Sequence, residues 1–293
     1  MTAAGGPVSL QVGVAGSGTM GAGIAECAAR AGHRVILRSR DRARAASTRS
    51  ALAAGLRRRV AGGKLSEEES EGILDRVLTT SSLDDLAGCE LVVESIEEDL
   101  GAKRALFVEL GSVCAPEALL ATNTSTLPVV DLAMATSHPE RVCGIHFFNP
   151  APVMSLVELV RPLTVSEDTL ARARSFAESC GKTAVEVGDE AGFVVNALLF
   201  PYLNDAVRLL ERGMASREDI DAAMRGGCRF PMGPFALLDL VGLDVSLRIL
   251  EALHAEHRDS RYAPAPLLRR MVTAGWLGRK AGRGFYGYGE RGA

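Results

Sequence analysis

The sequence predicts an α/β domain with a mostly parallel sheet, followed by an all-helical domain. Three observations predict this fold class. Short β-branched segments alternate with longer helical stretches in the first part of the chain, which is typical of βαβ units. From Gly192 onward only helical periodicity continues, and the length of 293 residues suits two domains. We therefore expect one domain over residues 1–190 and a second over residues 191–293.

The individual elements follow from residue type and capping signals. The expected strands are apolar segments at residues 10–15, 34–38, 90–94, 119–122, 141–147, 156–160 and 183–187. The expected helices of the first domain cover residues 21–31, 41–61 and 102–113, and a capping box of Ser66 and Glu69 opens another. In the second domain, helical periodicity covers residues 194–212, 217–224, 236–255 and 267–274.

Composition excludes several classes of protein. The formal net charge of -3 argues against a general nucleic-acid binder, since such proteins carry a basic stripe. No apolar run is long enough to span a membrane, and residues 1–7 lack the basic and apolar regions of a secretory signal. We therefore expect a cytoplasmic protein. Six cysteines without a C-x-x-C pair predict reduced, buried thiols rather than disulfides or a metal site: Cys27, Cys89, Cys114, Cys143, Cys180 and Cys228.

A glycine-rich turn joins the first expected strand to the first helix. Its sequence, Gly16-Ser17-Gly18-Thr19-Met20-Gly21, fits the pattern G-x-G-x-x-G. In this pattern the first glycine makes the tight turn, the second lets a pyrophosphate approach the backbone, and the third lets the helix pack on the strand. Similar turns occur without a ligand, but the position at the first βα connection favours a Rossmann-like domain that binds a dinucleotide. The expected contacts come from Gly16, Gly18, Thr19, Met20 and Gly21.

The end of the second strand distinguishes NAD from NADP. An acidic residue there accepts hydrogen bonds from the ribose hydroxyl groups of NAD, but this chain has Ser39 followed by Arg40. Ser39 removes the charge that would repel a 2′-phosphate, and the Arg40 guanidinium can bind that phosphate. In the alternative interpretation, Asp41 serves the ribose and the arginines around it form a solvated face. The pattern favours NADP over NAD, and use of both also fits.

Polar residues in the middle of the chain indicate a catalytic site. The segment 123–126 follows a strand and opens over the carboxyl edge of the sheet, where ligands of doubly wound sheets bind. His146 ends one expected strand and Glu158 lies inside the next, so a strand pair would bring them together. A lone histidine beside Phe147 and Phe148 is usually a core residue. However, a buried carboxylate needs a partner, and a histidine oriented by a carboxylate is a general base.

Several motifs resemble those of the L-3-hydroxyacyl-CoA dehydrogenase family, and most closely its short bacterial 3-hydroxybutyryl-CoA dehydrogenase branch. They occur in the family's order and spacing over nearly the whole chain: the glycine loop, Asn123–Ser125, His146–Met154, Gly192–Asn196, Pro231–Pro234 and Gly275–Lys280. The resemblance implies a Rossmann-like domain followed by a helical domain that forms a homodimer. It also implies hydride transfer between NAD(P) and the C3 position of a short-chain acyl thioester.

The resemblance also assigns roles to matching residues. His146 is expected to be the general acid/base, Glu158 its orienting partner, and Ser125 a hydrogen-bonding partner of the reacting oxygen. Asn196, at the start of the helical domain, is expected to hold the acyl group. Further expected contacts are Glu98, Lys103 and Asn123 toward the cofactor, and Asn149, Arg57, Arg58 and Lys64 toward the substrate.

Three departures from the family pattern bear on specificity. Ser39 replaces the family's acidic residue, Arg57-Arg58-Arg59 rearranges the basic residues that meet CoA, and Arg229-Phe230 stands where Asn-His is common. We favour a CoA thioester as substrate. The arginine-rich rim also suits an acidic acyl carrier protein, as in relatives of polyketide extender-unit pathways. A third possibility is a catalytically silent dinucleotide-binding relative, against which the intact pair of His146 and Glu158 argues.

Overall fold

The computed structural model describes residues 9–289, so the segment 1–7 considered above for a signal sequence lies outside the described residues. The chain divides into two compact units, with the division between Asp189 and Glu190. The first unit contains a sheet with helices, and the second contains helices. None of the described helices is both long and apolar enough to cross a membrane.

Eight strands in the described residues form one sheet in the first unit. They are β1 (Gln11–Ala15), β2 (Arg34–Arg38), β3 (Val77–Thr80), β4 (Leu91–Glu94), β5 (Leu119–Thr122), β6 (Val142–Phe147), β7 (Leu156–Arg161) and β8 (Thr183–Gly188). Their spatial order is β3-β2-β1-β4-β5-β6-β7-β8. All neighbouring pairs are parallel except β6 and β7, which are antiparallel. The predicted mostly parallel sheet is therefore confirmed.

The strand order creates a switch point beside β1. From β1 the chain adds β2 and β3 on one side and then returns to add β4 and β5 on the other. The loops that leave the carboxyl ends of β1 and β4 diverge at this point, and doubly wound sheets bind their ligands in the resulting crevice. The glycine loop leaves β1 at this crevice, as the sequence predicts.

The helices of the first unit are α1 (Thr19–Arg30), α2 (Arg42–Ala61), α3 (Glu67–Asp75), α4 (Leu100–Val113), α5 (Val129–Ala133) and α6 (Glu167–Ser179), with 3₁₀ turns at Asp84–Leu86 and Pro139–Arg141. The predicted capping box is confirmed, since Ser66 and Glu69 each accept a hydrogen bond from the other's backbone N–H, at 3.1 and 2.8 Å. The elements β3, α5 and α6 were not predicted from the sequence. The strand β3 has four residues at the sheet edge, too few for a clear periodicity.

The second unit consists of α7 (Val195–Glu211), α8 (Arg217–Cys228), α9 (Pro234–Val241), α10 (Leu243–His257) and α11 (Pro266–Thr273), with 3₁₀ turns at Ser260–Tyr262 and Arg279–Ala281. One continuous helix over residues 236–255 was predicted, and this prediction is wrong. Gly242 has φ +102° and interrupts the helix between α9 and α10. Only glycine adopts such a conformation without strain, so the apolar periodicity continues across a break that it does not reveal.

Each unit has its own apolar core. In the first unit, apolar residues of the strands pack with α1, α2 and α6, and in the second the core residues come mainly from α7, α9, α10 and α11. Cys27, Cys89, Cys114 and Cys143 are buried free thiols, as expected, whereas Cys180 is half-buried and Cys228 is exposed. Burial raises the pKa of the Cys27 thiol to about 11, so this thiol stays protonated near neutral pH.

Candidate active site

The three glycines of the loop after β1 have different surroundings. Gly16 has φ +130°, and a Cβ there would lie 2.2 Å from the Ser95 carbonyl oxygen. A Cβ on Gly21 would lie 1.9 Å from the Gly16 carbonyl oxygen. In contrast, a Cβ on Gly18 would meet nothing within 4 Å. Backbone packing therefore requires Gly16 and Gly21, whereas Gly18 faces open space in which a bound group can approach the backbone.

The loop is fixed beside the helix N-terminus and the end of β2. Gly18 is the N-cap of α1, and no side chain caps this helix, so its first N–H groups remain available to an anion. The Ser17 hydroxyl donates a hydrogen bond to Ser39 Oγ at 2.9 Å, and Thr48 Oγ1 donates to the Ser17 carbonyl at 3.2 Å. These contacts connect the glycine loop to Ser39, the position from which the preference for NAD or NADP was predicted.

The residues after β2 adopt separate roles. Ser39 is buried, whereas Arg40 is exposed and forms an ion pair with Glu97 at 3.2 Å. Asp41 is the N-cap of α2 and accepts hydrogen bonds from the backbone N–H groups of Ala43, at 2.6 Å, and Arg44, at 3.4 Å. Its carboxylate thus caps a helix, which does not support the alternative in which Asp41 serves the ribose.

His146 and Glu158 form a buried pair. They lie directly opposite each other in the antiparallel register of β6 and β7, and Nδ1 of His146 lies 2.8 Å from Oε2 of Glu158. Both residues are less than a tenth exposed, and the Phe148 ring lies 4.6 Å from the imidazole, centroid to centroid. The pairing predicted from the sequence is therefore confirmed, and the carboxylate orients the imidazole through Nδ1.

The loop after β5 is attached to the strand that carries His146. Asn123 Oδ1 accepts a hydrogen bond from the Phe147 backbone N–H at 2.8 Å. Because β5 and β6 are parallel, their carboxyl ends lie at the same edge of the sheet. This contact places the segment 123–126 beside the end of β6, so Asn123 has a structural role in addition to its expected contact with the cofactor.

Glu98 organises the segment that contains Ser125. Its Oε1 accepts hydrogen bonds from Thr124 Oγ1 at 2.7 Å, from the Ser125 N–H at 2.8 Å and from Ser125 Oγ at 3.2 Å. Partial burial alone would raise the pKa of this carboxyl. Lys103 and the hydrogen bonds from Thr124 and Ser125 outweigh that effect, so the net pKa lies below its ordinary value. Glu98 is therefore an ionised acceptor at neutral pH.

Behind Glu98 lies a buried ion pair. Nζ of Lys103 lies 2.7 Å from Oε1 of Glu94 and 3.3 Å from Oε2 of Glu98. The side chain of Lys103 is 1% exposed and that of Glu94 is 0% exposed. Lys103 and Glu98 were predicted from the sequence, whereas Glu94 was not. A carboxylate at the end of an apolar strand was the available signal, because the same reasoning identified Glu158.

Lys182 was also missed. It is buried, and its Nζ donates hydrogen bonds to the carbonyl oxygens of Ala151 and Met154 at 2.7 and 2.8 Å, in the connection between β6 and β7. That connection contains Asn149, which is exposed and joined to Pro150 by a cis peptide bond. Only four of the 33 cationic residues are lysine, and this rarity could have drawn attention to Lys182 in the sequence.

The expected substrate-rim residues lie at the end of α2 and in the turn after it. Arg57, Arg58 and Lys64 are exposed, so their cationic groups are accessible to an anion. Arg59 instead forms an ion pair with Glu26 of α1 at 2.5 Å. Two of the three consecutive arginines are therefore accessible. Asn196 lies in the first turn of α7 in the second unit and is buried, and its role remains a prediction.

The first unit fits a dinucleotide. The open space at Gly18, the uncapped N-terminus of α1 and the switch point at β1 are the features that a pyrophosphate requires. Gly16, Gly18, Thr19, Met20 and Gly21 would hold this group. Residues 9–289 contain no cluster of three or more His, Cys, Asp or Glu side chains arranged to hold a metal ion.

Comparison with known families and proteins agrees with this geometry. A family model described as the NAD binding domain of 3-hydroxyacyl-CoA dehydrogenase matches residues 11–190, and a model of the C-terminal domain matches residues 192–288. A 3-hydroxybutyryl-CoA dehydrogenase from Mycobacterium tuberculosis is 47% identical over 280 residues, covering 95% of this chain and 98% of that protein. A protein of the same name from Bradyrhizobium diazoefficiens is 44% identical over 281 residues, covering 96% of each chain.

A solved structure is similarly close. The crystal structure of (S)-3-hydroxybutyryl-CoA dehydrogenase from Ralstonia eutropha matches with a TM-score of 0.93 and 39% identity, covering 97% of this chain and 100% of that chain. Family models therefore cover both units, and the relatives match over nearly their full lengths. The chain belongs to the 3-hydroxyacyl-CoA dehydrogenase family of oxidoreductases, and its first unit is the family's NAD-binding domain.

Proposed function

We propose that this protein interconverts a short-chain L-3-hydroxyacyl thioester of the 3-hydroxybutyryl-CoA type and the corresponding 3-ketoacyl thioester. The observation that carries this proposal is the buried pair of His146 and Glu158, at the same sheet edge as the dinucleotide loop. The names of the relatives from Mycobacterium tuberculosis and Ralstonia eutropha support this substrate class. When NAD is bound, it supplies the acceptor or donor of the hydride at C3.

His146 acts as the general acid/base. Glu158 lies at Nδ1, so the other ring nitrogen, Nε2, exchanges the proton with the C3 oxygen. In oxidation Nε2 accepts the hydroxyl proton, and the Glu158 carboxylate stabilises the imidazolium that results. In reduction the imidazolium returns this proton to the C3 oxygen. A general base of this kind typically contributes about 10²–10⁴-fold in rate.

Ser125 positions the reacting oxygen. Without substrate, its hydroxyl donates its single proton to Oε1 of Glu98. The C3 oxygen of a 3-ketoacyl group or alkoxide can only accept, so it takes this hydrogen bond from Ser125 Oγ, while the proton of a 3-hydroxyacyl hydroxyl is directed to Nε2 of His146. We also propose that Asn196 contacts the acyl thioester and that Asn149, Arg57, Arg58 and Lys64 bind its carrier.

We propose a preference for NADP over NAD within the family's NAD(H) chemistry. Ser39 carries no charge, and Arg40 is exposed beside it. Replacement of Ser39 by Asp should lower kcat/KM for NADPH and raise it for NADH. Unchanged cofactor preference in this variant would contradict the proposal.

The decisive test is a matrix of initial rates with NADH and NADPH against acetoacetyl-CoA and the matching carrier-protein thioester. We expect loss of absorbance at about 340 nm with the CoA ester, and no loss with either cofactor would overturn the proposed reaction. The exposed Arg57 and Arg58 also suit an acidic carrier protein. Clearly faster turnover of the carrier-protein thioester would establish that second substrate. Loss of turnover in His146→Ala would exclude the catalytically silent alternative.

We also propose that the protein forms a homodimer through the second unit. This unit exposes large apolar side chains, including Leu198 and Met214 at 73% each. Exposed apolar side chains that lie together are typical of protein–protein interfaces. Light scattering coupled to size-exclusion chromatography should give twice the chain mass of 30.9 kDa, and Leu198→Glu should shift it toward the monomer. A monomeric wild-type protein at micromolar concentration would contradict the dimer.

A further inference from the structure

We propose that Glu94 is a positioning residue for Ser125, acting through Lys103 and Glu98. The inference rests on the proposed function, in which Ser125 contacts the reacting oxygen. Glu94 ends β4, Glu98 lies in the following loop, and Lys103 lies in α4. The side chains of Glu94 and Lys103 are 0% and 1% exposed, so both are buried. The side chain of Glu98 is 34% exposed and is therefore partly accessible to solvent.

Glu94 connects three segments of the chain. Its Oε1 accepts hydrogen bonds from Lys103 Nζ at 2.7 Å and from the Ile96 backbone N–H at 2.6 Å. Its Oε2 accepts from Thr122 Oγ1, at the end of β5, at 2.7 Å. One buried carboxylate therefore fixes α4, the loop after β4 and the strand that leads to Ser125.

From Glu94 the contacts continue to Ser125. Lys103 Nζ lies between the two carboxylates, 0.6 Å closer to Glu94 than to Glu98, at 2.7 and 3.3 Å. Glu98 Oε1 then accepts hydrogen bonds from the backbone N–H and the hydroxyl of Ser125. A second connection runs through Thr122 Oγ1, which accepts from the Thr124 N–H at 3.2 Å. The loop that carries Ser125 is thus fixed both at Thr124 and at Ser125 itself.

The charges explain why Glu94 is needed. A buried ammonium requires a nearby anion, because its desolvation is costly. With Glu94 ionised, Lys103 is bound deep in the interior, and Glu98 keeps Oε1 for Ser125. Without that charge, Glu98 is the remaining carboxylate beside Lys103, and we expect it to move toward Nζ. Its hydrogen bonds to Ser125 would then lengthen or break.

The first test compares Glu94→Gln with Glu94→Gln/Lys103→Met. We expect the single variant to lower kcat by about 10–100-fold, since a displacement of about 1 Å has effects of this size. The double variant removes the ammonium that attracts Glu98, so its kcat should exceed that of the single variant by about fivefold or more. A kcat for Glu94→Gln within threefold of wild type, or a double variant no faster than the single one, would overturn the proposal.

A matched control separates positioning from folding. Asp239 is a buried carboxylate in the second unit whose oxygens accept from the N–H groups of Phe285 and Tyr286, both at 2.8 Å. Asp239→Asn should lower the melting temperature and leave kcat within threefold of wild type. If Glu94→Gln does not fold, Glu94→Asp withdraws the carboxylate from Lys103 by one methylene group, so Glu98 becomes the nearer anion, and a kcat within threefold of wild type in this variant would overturn the proposal.

A second readout does not require turnover. In a Cys228→Ser background, which removes the exposed native thiol, Ser125→Cys places a thiol beside Glu98. A neighbouring carboxylate raises the pKa of a thiol and slows its alkylation. Adding Glu94→Gln should move Glu98 away and increase the rate of iodoacetamide alkylation at position 125 by about threefold or more. An unchanged alkylation rate would overturn the positioning role, whereas an inactive wild-type protein would overturn the proposed function alone.

Discussion

Nδ1 of His146 lies 2.8 Å from Oε2 of Glu158, across the junction at which the sheet changes from parallel to antiparallel. The two residues are direct register partners, so backbone hydrogen bonding on both strands fixes the separation of their Cα atoms. The imidazole is therefore oriented by rigid elements rather than by a loop. This arrangement suits a group that must exchange a proton in a defined direction.

Substitution of either member of the pair should affect catalysis more than folding. His146→Gln should lower kcat by about 10²–10⁴-fold, because it removes the proton acceptor. Glu158→Gln retains a hydrogen-bond acceptor for Nδ1 but loses the charge that stabilises the imidazolium, so its kcat should fall by a smaller factor. Steady-state rates with acetoacetyl-CoA measure both effects. Binding of NADH, followed by fluorescence, should be unchanged, and wild-type kcat in His146→Gln would contradict the assignment.

The glycines of the loop after β1 should respond differently to a methyl group. Gly21→Ala places Cβ 1.9 Å from a carbonyl oxygen, so overpacking should destabilise the fold by about 1–3 kcal/mol. Gly18→Ala meets no atom within 4 Å and should change stability by less than about 0.5 kcal/mol. It should nevertheless weaken NADH binding by about tenfold or more. Urea unfolding and NADH titration distinguish the variants, and equal effects on stability would contradict the prediction.

His33 should make stability depend on pH. Its Nδ1 accepts the Leu10 N–H at 3.2 Å, and its Nε2 lies 2.8 Å from Ser179 Oγ. Burial lowers the pKa of His33 below 6.5, so below pH 6.5 the unfolded chain binds a proton before the folded chain does. The stability that the neutral ring provides is therefore present above pH 6.5 and is lost as the pH falls through the lower, folded-state pKa.

Urea unfolding of wild type and His33→Gln at pH 7.5 and pH 5.0 measures this effect. We expect the drop in the unfolding midpoint between the two pH values to be smaller in the variant. The matched control is His138→Gln, since the His138 side chain lies in the same unit, is 44% exposed and pairs with Glu140 at 3.2 Å. An equal reduction in both variants would show that His33 is not the group responsible.

Lys182 should be important for stability, in contrast to the exposed Lys64. Lys182→Met would leave the carbonyl groups of Ala151 and Met154 without their donor, and an unsatisfied buried group costs about 1–3 kcal/mol. Lys64→Met, at an exposed position, should change the free energy of unfolding by less than about 0.5 kcal/mol. Denaturant unfolding of both variants measures the difference, and equal stability of the two would contradict the role of Lys182.

Much of the candidate site could be predicted from the sequence because its signals are local. The pattern of Gly16, Gly18 and Gly21 reflects steric requirements within one strand, turn and helix, and all three requirements occur in the structure. The pairing of His146 and Glu158 was predictable because the connection between their strands is too short for a helical crossover. Two neighbouring strands joined by a short connection must be antiparallel. Residues that are register partners on such strands lie directly opposite each other.

Other features depend on residues that are distant in sequence. Glu94 becomes part of the site because β4 lies beside β5, which brings Thr122 to its carboxylate from 28 positions away. The break at Gly242 depends on the φ angle of one residue, and the apolar pattern of the sequence does not predict it. One alternative from the sequence assigned Asp41 to the ribose, but in the structure its carboxylate caps α2.

The sequence by itself determined the fold class, the dinucleotide loop and the pairing of His146 with Glu158, because these follow from periodicity, steric requirements and short connections, and its motifs indicated the family by resemblance. Only the tertiary structure decided the strand order, the contacts of Lys182, and the hydrogen bonds and ion pairs that connect Glu94 to Ser125. The physical reason is that a buried charge is stabilised by whichever groups the fold brings within hydrogen-bonding distance. Those groups are set by the packing of strands and helices rather than by neighbours along the chain.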